Sequence, residues 1–351
     1  MTGKIRHLVN RSGRYHARLV VPKDLCGIIG KTELRSPLGA DYRQALKLLP
    51  GMRDGGKRQR PIIESLRKFL KHNDAGRITK KDLMEWREAL METLSAKTVS
   101  DIYLSAVKSL YTWAVENDRL PENVAATVKQ RKPRKTYGRE RGYTDAEALK
   151  VLKASRAYQP NEDENGYIRE KPQLVAAKRW VPIICAFTGA RVSEITQLRK
   201  EDIREADGKW LIRITPDAGT VKAGGYRDVP LHHQIIDEGF ATFLQSAQSG
   251  PLFHGGTDPA SFATKALRIS SQLSEWLRKV ELTPEGLQPN HAWRHRLKTT
   301  CRELGMSDRV VDAIQGHAGK TAGDSYGDVT LKTKADAIAR LPEYLIRQEV
   351  L

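Results

Sequence analysis

The sequence predicts a multidomain, mainly α protein with small β-sheets (an α+β chain), and three observations lead there. Its 351 residues exceed what one small core organises, so two or three domains are expected. Apolar residues recur at three–four spacing over long stretches, the signature of helices with one buried stripe. Strict alternation is confined to a few short segments, which limits the β-structure to small sheets. A basic stretch at residues 129–141 (KQRKPRKTYGRER), with seven Lys or Arg in thirteen positions, separates two globular regions.

The elements follow in chain order. Tyr15, Ala17, Leu19 and Val21 alternate with His16, Arg18 and Val20, which predicts a strand, and Lys31 to Arg35 reads as a second. Gly27, Gly30, Pro37 and Gly39 punctuate this region as turns. Residues 51–60 read as a basic linker, followed by a short amphipathic helix from about Pro61 to Lys71. Thr79 is placed to cap a helix through Leu90. A longer helix over about Ala96 to Asn117 carries Val99, Ile102, Tyr103, Ala106, Val107, Leu110, Tyr111 and Ala114 on one stripe, with Lys97 and Lys108 largely off it. Pro133 and Gly138 oppose a helix through the basic tether. Beyond it, Thr144 is placed to cap a helix over 145–155, and residues 174–187 form an apolar helix. Trp210 to Ile214 and Arg227 to Leu231 pair as strands about a Gly-rich turn, and the chain is mostly helical from about Pro259. Four regions result: 1–75 (β-containing, with a linker), 76–128 (helical), 129–141 (basic linker) and 142–351.

Charge narrows the function. Sixty Lys and Arg against 42 Asp and Glu give a net charge of +18, which favours polyanionic partners, nucleic acid first among them. In the tether, Lys129, Arg131, Lys132, Arg134 and Lys135 suit a DNA backbone, although a solvated linker accounts for them as well. Cys26, Cys185 and Cys301 are scattered and odd in number, so neither a disulfide framework nor a zinc site is expected. No stretch has the length and apolarity of a signal peptide or a membrane span, and a cytoplasmic location is expected. Gly30-Lys31-Thr32 and Gly319-Lys320-Thr321 end like phosphate-binding loops. Leu25 and Ile314 stand where the first Gly belongs, so ATP chemistry has little support.

Four segments carry chemistry. In Thr188-Gly189-Ala190-Arg191-Val192-Ser193-Glu194, Gly189 ends a helix and Arg191 begins the next. Its planar fork matches two phosphate oxygens, and Glu194 is one turn on to orient it; a plain i,i+3 ion pair is the alternative. The hairpin holds Lys222 and Arg227, and a turn lysine is ordinarily solvated. In His291-Ala292-Trp293-Arg294-His295, a helix puts His291 and Arg294 on one face. Gly316-His317 precedes Tyr326 by nine residues. A phenol of pKa near 10 is a poor nucleophile without neighbouring cations.

Taken together these residues resemble the tyrosine recombinases, the phage integrase family, across roughly residues 76–340. The family order of Arg, hairpin Lys, His-x-x-Arg, Gly-His and Tyr is complete as Arg191, Lys222, His291, Arg294, His317 and Tyr326, and Val229-Pro230-Leu231 follows the hairpin as is usual there. Trp293, Ala292 and Gln315 replace a common Leu, Asp and Leu, and Gly327-Asp328 replace Thr-His. The resemblance implies a C-shaped clamp on DNA, made of a helical core-binding domain and a mixed catalytic domain, with an arm-type DNA-binding region in residues 1–75. It implies a site-specific recombinase in which Tyr326 forms a 3′-phosphotyrosine. Arg191 and Arg294 neutralise the phosphate, His291 and His317 hydrogen-bond it, Glu194 supports Arg191, and Lys222 protonates the leaving oxygen. Lys97, Lys108, the tether cations and Arg227 are expected to contact DNA. No metal or other cofactor is expected. The implied partners are double-stranded attachment sites, three further copies in a tetramer on DNA, and accessory DNA-bending or directionality proteins. A type IB topoisomerase and a non-catalytic DNA-binding protein are the alternatives.

Overall fold

The computed structural model describes residues 8–11, 14–20, 33–39, 59–134, 138–219, 221, 225–317 and 327–347. The chain divides into two compact units, Met1–Lys135 and Thr136–Leu351. Its fold is mainly α with small antiparallel sheets.

In the first unit, β1 (Leu8–Arg11), β2 (Arg14–Val20) and β3 (Glu33–Gly39) form an antiparallel meander in that order. The third strand runs further than Lys31 to Arg35 and takes in Pro37, which an edge strand tolerates because one side of its ladder is unpaired. Three helices follow: α1 (59–70), α2 (Lys80–Met91) and α3 (96–116). Thr79 accepts from Asp82 N, and Asp82 accepts from Thr79 N in return, a capping box that starts α2. Within α3, Val99–Leu104 is a π turn. Its wider turn shifts the phase of the stripe: Leu104 is buried, and Ile102, expected inside, is 51% exposed. The small core joins Ile62, Leu66, Leu83, Trp86, Leu104 and Val107.

The second unit begins with α4 (Asp145–Ala157), where Thr144 and Glu147 form another capping box and Arg139 holds the same carboxylate. The apolar α5 (Pro172–Thr188) is the central helix, packed on α4, α6 (Val192–Thr196), α9 (Phe262–Lys279) and α10 (Pro289–Glu303). A second meander, β4 (Ile203–Ala206), β5 (Lys209–Ile214) and β6 (Arg227–Pro230), contains the two predicted strands and one more. The short α7 (His233–Asp237) and α8 (Phe240–Ser246) precede α9, while α11 (Asp308–Gln315) and α12 (Leu331–Ala339) follow α10. Trp293, which replaces the family's usual Leu, is buried in this core against Tyr143 and Tyr344. No helix among the described residues is long and apolar enough to cross a membrane.

The described part of the C-terminal segment seats on its own unit. Ala337, Ile338, Leu341 and Ile346 enter the core, while Leu345 is exposed. His232 Nε2 lies 3.1 Å from Leu341 O, and Gln234 exchanges two hydrogen bonds with the Tyr344 backbone. His232 stacks on Phe187, and burial lowers its pKa from 6.5 to about 4. His254 is lowered to about 4 by the same cause. Between pH 6.5 and about 4 an unfolded chain takes up protons that these folded rings refuse, so acid shifts the balance toward unfolding across that window. The urea midpoint of the second unit is therefore expected to be level above pH 6.5 and to fall as the pH drops toward 4. His232→Gln is expected to flatten part of that fall; a midpoint that rises on acidification contradicts it.

Candidate active site

Helix ends build the site. The last turn of α5 closes on Gly189 at φ 56°, and a Cβ there would meet Gln315 Nε2 at 2.5 Å. The chain turns immediately into α6, whose N-cap is Arg191. Glu194 Oε2 accepts from the Arg191 backbone N–H at 3.0 Å, and Oε1 accepts from Arg191 Nη1 at 2.9 Å. The Glu194 side chain is 1% exposed and also accepts from Arg227 Nη2 at 2.6 Å. Burial raises its pKa, but the hydrogen bond and charge of Arg227, with Arg191, outweigh that and keep it a carboxylate.

Arg294, on α10, is 4% exposed. Its Nη1 donates to Gly189 O and to Gln315 O, both at 2.7 Å, and its Nε donates to His317 Nε2 at 3.1 Å. Gln315 Nε2 returns a bond to Arg294 O at 2.9 Å. Arg294 Nη2 is buried with no hydrogen-bond partner among the described residues. Burial, then Arg191, lowers the Arg294 pKa to about 10, which leaves it charged at neutral pH.

His291 lies three residues before Arg294 on the same helix face and is exposed, its ring 5.2 Å from that of His295. Its pKa is lowered first by burial and then by His295, Arg294, Arg191 and His317, so at neutral pH it is a neutral imidazole able to accept a proton. His317 follows Gly316, the left-handed residue (φ 71°) that closes α11. Its backbone N–H reaches back to Asp312 O at 2.9 Å, the six-to-one bond of a Schellman turn, and its Nδ1 lies 2.8 Å from Asp312 Oδ1.

Four of the six residues predicted to do chemistry, Arg191, His291, Arg294 and His317, thus share one cluster. The other two, Lys222 and Tyr326, lie outside the described residues, as does Lys135. Arg227 is corrected. Its side chain is 9% exposed, and its guanidinium is committed to Glu194, Ile314 O and Gln315 O, which removes it from the DNA-contacting set. In the first unit, Lys97, Lys129, Arg131 and Arg134 are exposed and Lys108 is half-buried, while Lys132 pairs with Asp101 at 2.9 Å. Sequence reasoning missed Asp312 and the bonding of Gln315 to Arg294. The pattern Asp-x-x-x-Gly-His carried a signal for Asp312, since a Gly-closed helix brings the residue after the Gly back over the one five before it.

No family model matches the chain. Among curated proteins, it is 26% identical to tyrosine recombinase XerA of Pyrococcus furiosus over 182 residues, 51% of this chain and 59% of that protein. It is 24% identical to tyrosine recombinase XerC of Mycobacterium sp. (strain KMS) over 265 residues, 74% of this chain and 81% of that protein. These relatives are tyrosine recombinases, and the chain is similar to them in sequence. In fold, a lambda integrase tetramer bound to a Holliday junction matches at a TM-score of 0.52 and 17% identity, over 93% of this chain and 99% of that chain.

The Glu194 carboxylate is buried between two guanidiniums, so removing one strands a charge. Arg227→Ala is expected to destabilise the second unit by about 3–5 kcal/mol in urea unfolding. Arg227→Lys is expected to recover only part of that, because an ammonium cannot span Glu194 and two carbonyls. A stability within about 0.5 kcal/mol of wild type for Arg227→Ala would place Arg227 at the surface.

Proposed function

We propose that this tyrosine-type recombinase cuts and rejoins duplex DNA at specific sites through a covalent link to Tyr326, as the integrase of a prophage or other mobile element. The observation that carries the reading is the convergence of Arg191 and Arg294 with His291 and His317, with Arg294 Nη2 held buried and without a partner among the described residues. A buried donor without an acceptor is costly, and a phosphate oxygen supplies the acceptor.

The chemistry follows from these groups. The Tyr326 oxygen attacks the phosphorus and the bond to the 5′-oxygen breaks, leaving a 3′-phosphotyrosine. The phenolic proton passes to His291, whose neutral ring accepts it. Lys222 gives a proton to the leaving 5′-oxygen. Arg191 and Arg294 neutralise the charge that grows on the non-bridging oxygens. A 5′-hydroxyl from a second strand then attacks the phosphotyrosine and expels Tyr326. One phosphodiester is exchanged for another, so no nucleotide is consumed. The tetrameric lambda integrase on a Holliday junction supports a tetramer here, the number needed to serve four strands. We assign DNA gripping to the helical region at 76–128 and the basic tether at 129–141. Residues 1–75, with Arg14 and Arg18 exposed on β2, are assigned to accessory arm sites.

A nicked duplex carrying a repeat found at the element's boundaries tests this. Wild-type protein is expected to be trapped as a covalent adduct on denaturing gels, Tyr326→Phe to give none, and Arg294→Ala to form it about 10²–10³-fold more slowly. Relaxation of a plasmid lacking any such repeat would favour a topoisomerase. An adduct persisting in Tyr326→Phe would remove Tyr326 as the nucleophile.

A further inference from the structure

The surroundings of His317 pose a problem that its hydrogen bonds sharpen. In this structure its Nε2 accepts from Arg294 Nε, so the ring proton sits on Nδ1, toward Asp312. To hydrogen-bond a phosphate oxygen, Nε2 must turn from acceptor to donor. Asp312 already occupies Nδ1, so the ring must then donate through both nitrogens and become imidazolium. The groups that face it mostly oppose this. Arg294 and Lys298 from α10 repel a second positive charge, and His291 and His295 share the same field. Asp312 is the one carboxylate facing the ring among these groups.

Asp312 is well built for that task. Its Oδ1 takes the Nδ1 bond at 2.8 Å, and Lys298 Nζ donates to the same oxygen at 2.8 Å. Burial raises the Asp312 pKa, but hydrogen bonds from Lys298 and His317 bring it below the ordinary value. It is therefore ionised at any pH where the site works. The Schellman turn at Gly316 fixes the distance between carboxylate and ring through the backbone.

We propose that Asp312 is a positioning residue of the phosphate site: it holds His317 by Nδ1 and supplies the negative charge that lets the ring become a two-way donor when a DNA phosphate binds. This rests on the strand-cleaving reading above. In this reading Asp312 acts through His317.

The direction of its effect is fixed. Burial lowers the pKa of His317, and the Asp312 hydrogen bond raises it in opposition. Asp312→Asn keeps an oxygen that can accept from Nδ1–H but removes the charge. The pKa of His317 then falls further, and imidazolium becomes available only at lower pH.

Single-turnover cleavage of the nicked duplex, followed from pH 5.5 to 8.5, tests this. Asp312→Asn is expected to slow cleavage at neutral pH by about 10- to 100-fold, as when a ligating imidazole loses its orienting partner. Its alkaline decline is expected to move to lower pH, with Asp312→Glu restoring part of the rate. In a His317→Gln background the same change is expected to cost less than about 3-fold. Additive losses, or a profile that does not move, overturn the proposal. Nitrogen-15 spectra of histidine-labelled full-length protein give a second readout that needs no cleavage. His317 is expected as the Nδ1–H tautomer in wild type, with a lower pKa in Asp312→Asn, and an unchanged pKa overturns the proposal on its own. Absence of any wild-type adduct alongside the expected spectra counts against strand cleavage and not against the Asp312–His317 coupling.

Discussion

Two helix ends and the His317 ring meet at the guanidinium of Arg294, and the arrangement of the second unit around the site depends on that meeting. Helices leave their last carbonyls without partners inside the helix. Arg294 collects two such ends, Gly189 O after α5 and Gln315 O at the close of α11, and adds the His317 ring. One rigid fork thereby sets the spacing between the segment that carries Arg191 and the segment that carries His317. The arginine is nearly fully buried, yet its Nη2 is unpaired among the described residues. The same side chain is a strut for the fold and a donor waiting for an acceptor, and this explains why a cation sits so deep.

Buried cations of this kind need balancing charge that does not fill the site. Glu194 supplies it, shared between Arg191 and Arg227. Because Arg227 also binds the carbonyls of Ile314 and Gln315, the carboxylate ties the base of the β-hairpin to the helix end before His317. Asp312 plays the corresponding part for His317, with Lys298 at its back. Arg191 and His317 thus each have a carboxylate behind them, Glu194 and Asp312.

Much of this architecture was legible in the sequence, because it is local. Thr79 and Thr144 cap the helices they precede, Gly189 stops the apolar helix, and alternation marks the strands at Trp210–Ile214 and Arg227. Where local reading failed, the causes were also particular. A π turn at Val99–Leu104 rotated Ile102 to the surface, which a strict three–four count does not foresee. Arg227 follows a lysine expected to reach DNA and so reads as a DNA contact. Its true partners, Glu194, Ile314 and Gln315, are 33 to 88 residues away along the chain.

The sequence by itself supplied the candidate groups and their order, Arg191, Lys222, His291, Arg294, His317 and Tyr326, since each is read from residue type and place along the chain. It also determined where the helices begin and end, because capping and turn geometry are set by a few neighbouring residues. Only the tertiary structure decided which cations face outward. Arg191, Arg227 and Arg294 are the same residue type, and what separates them is burial and the nearest acceptor, largely products of distant segments packing together. The charge on a side chain is written locally, but its availability depends on what the fold places behind it.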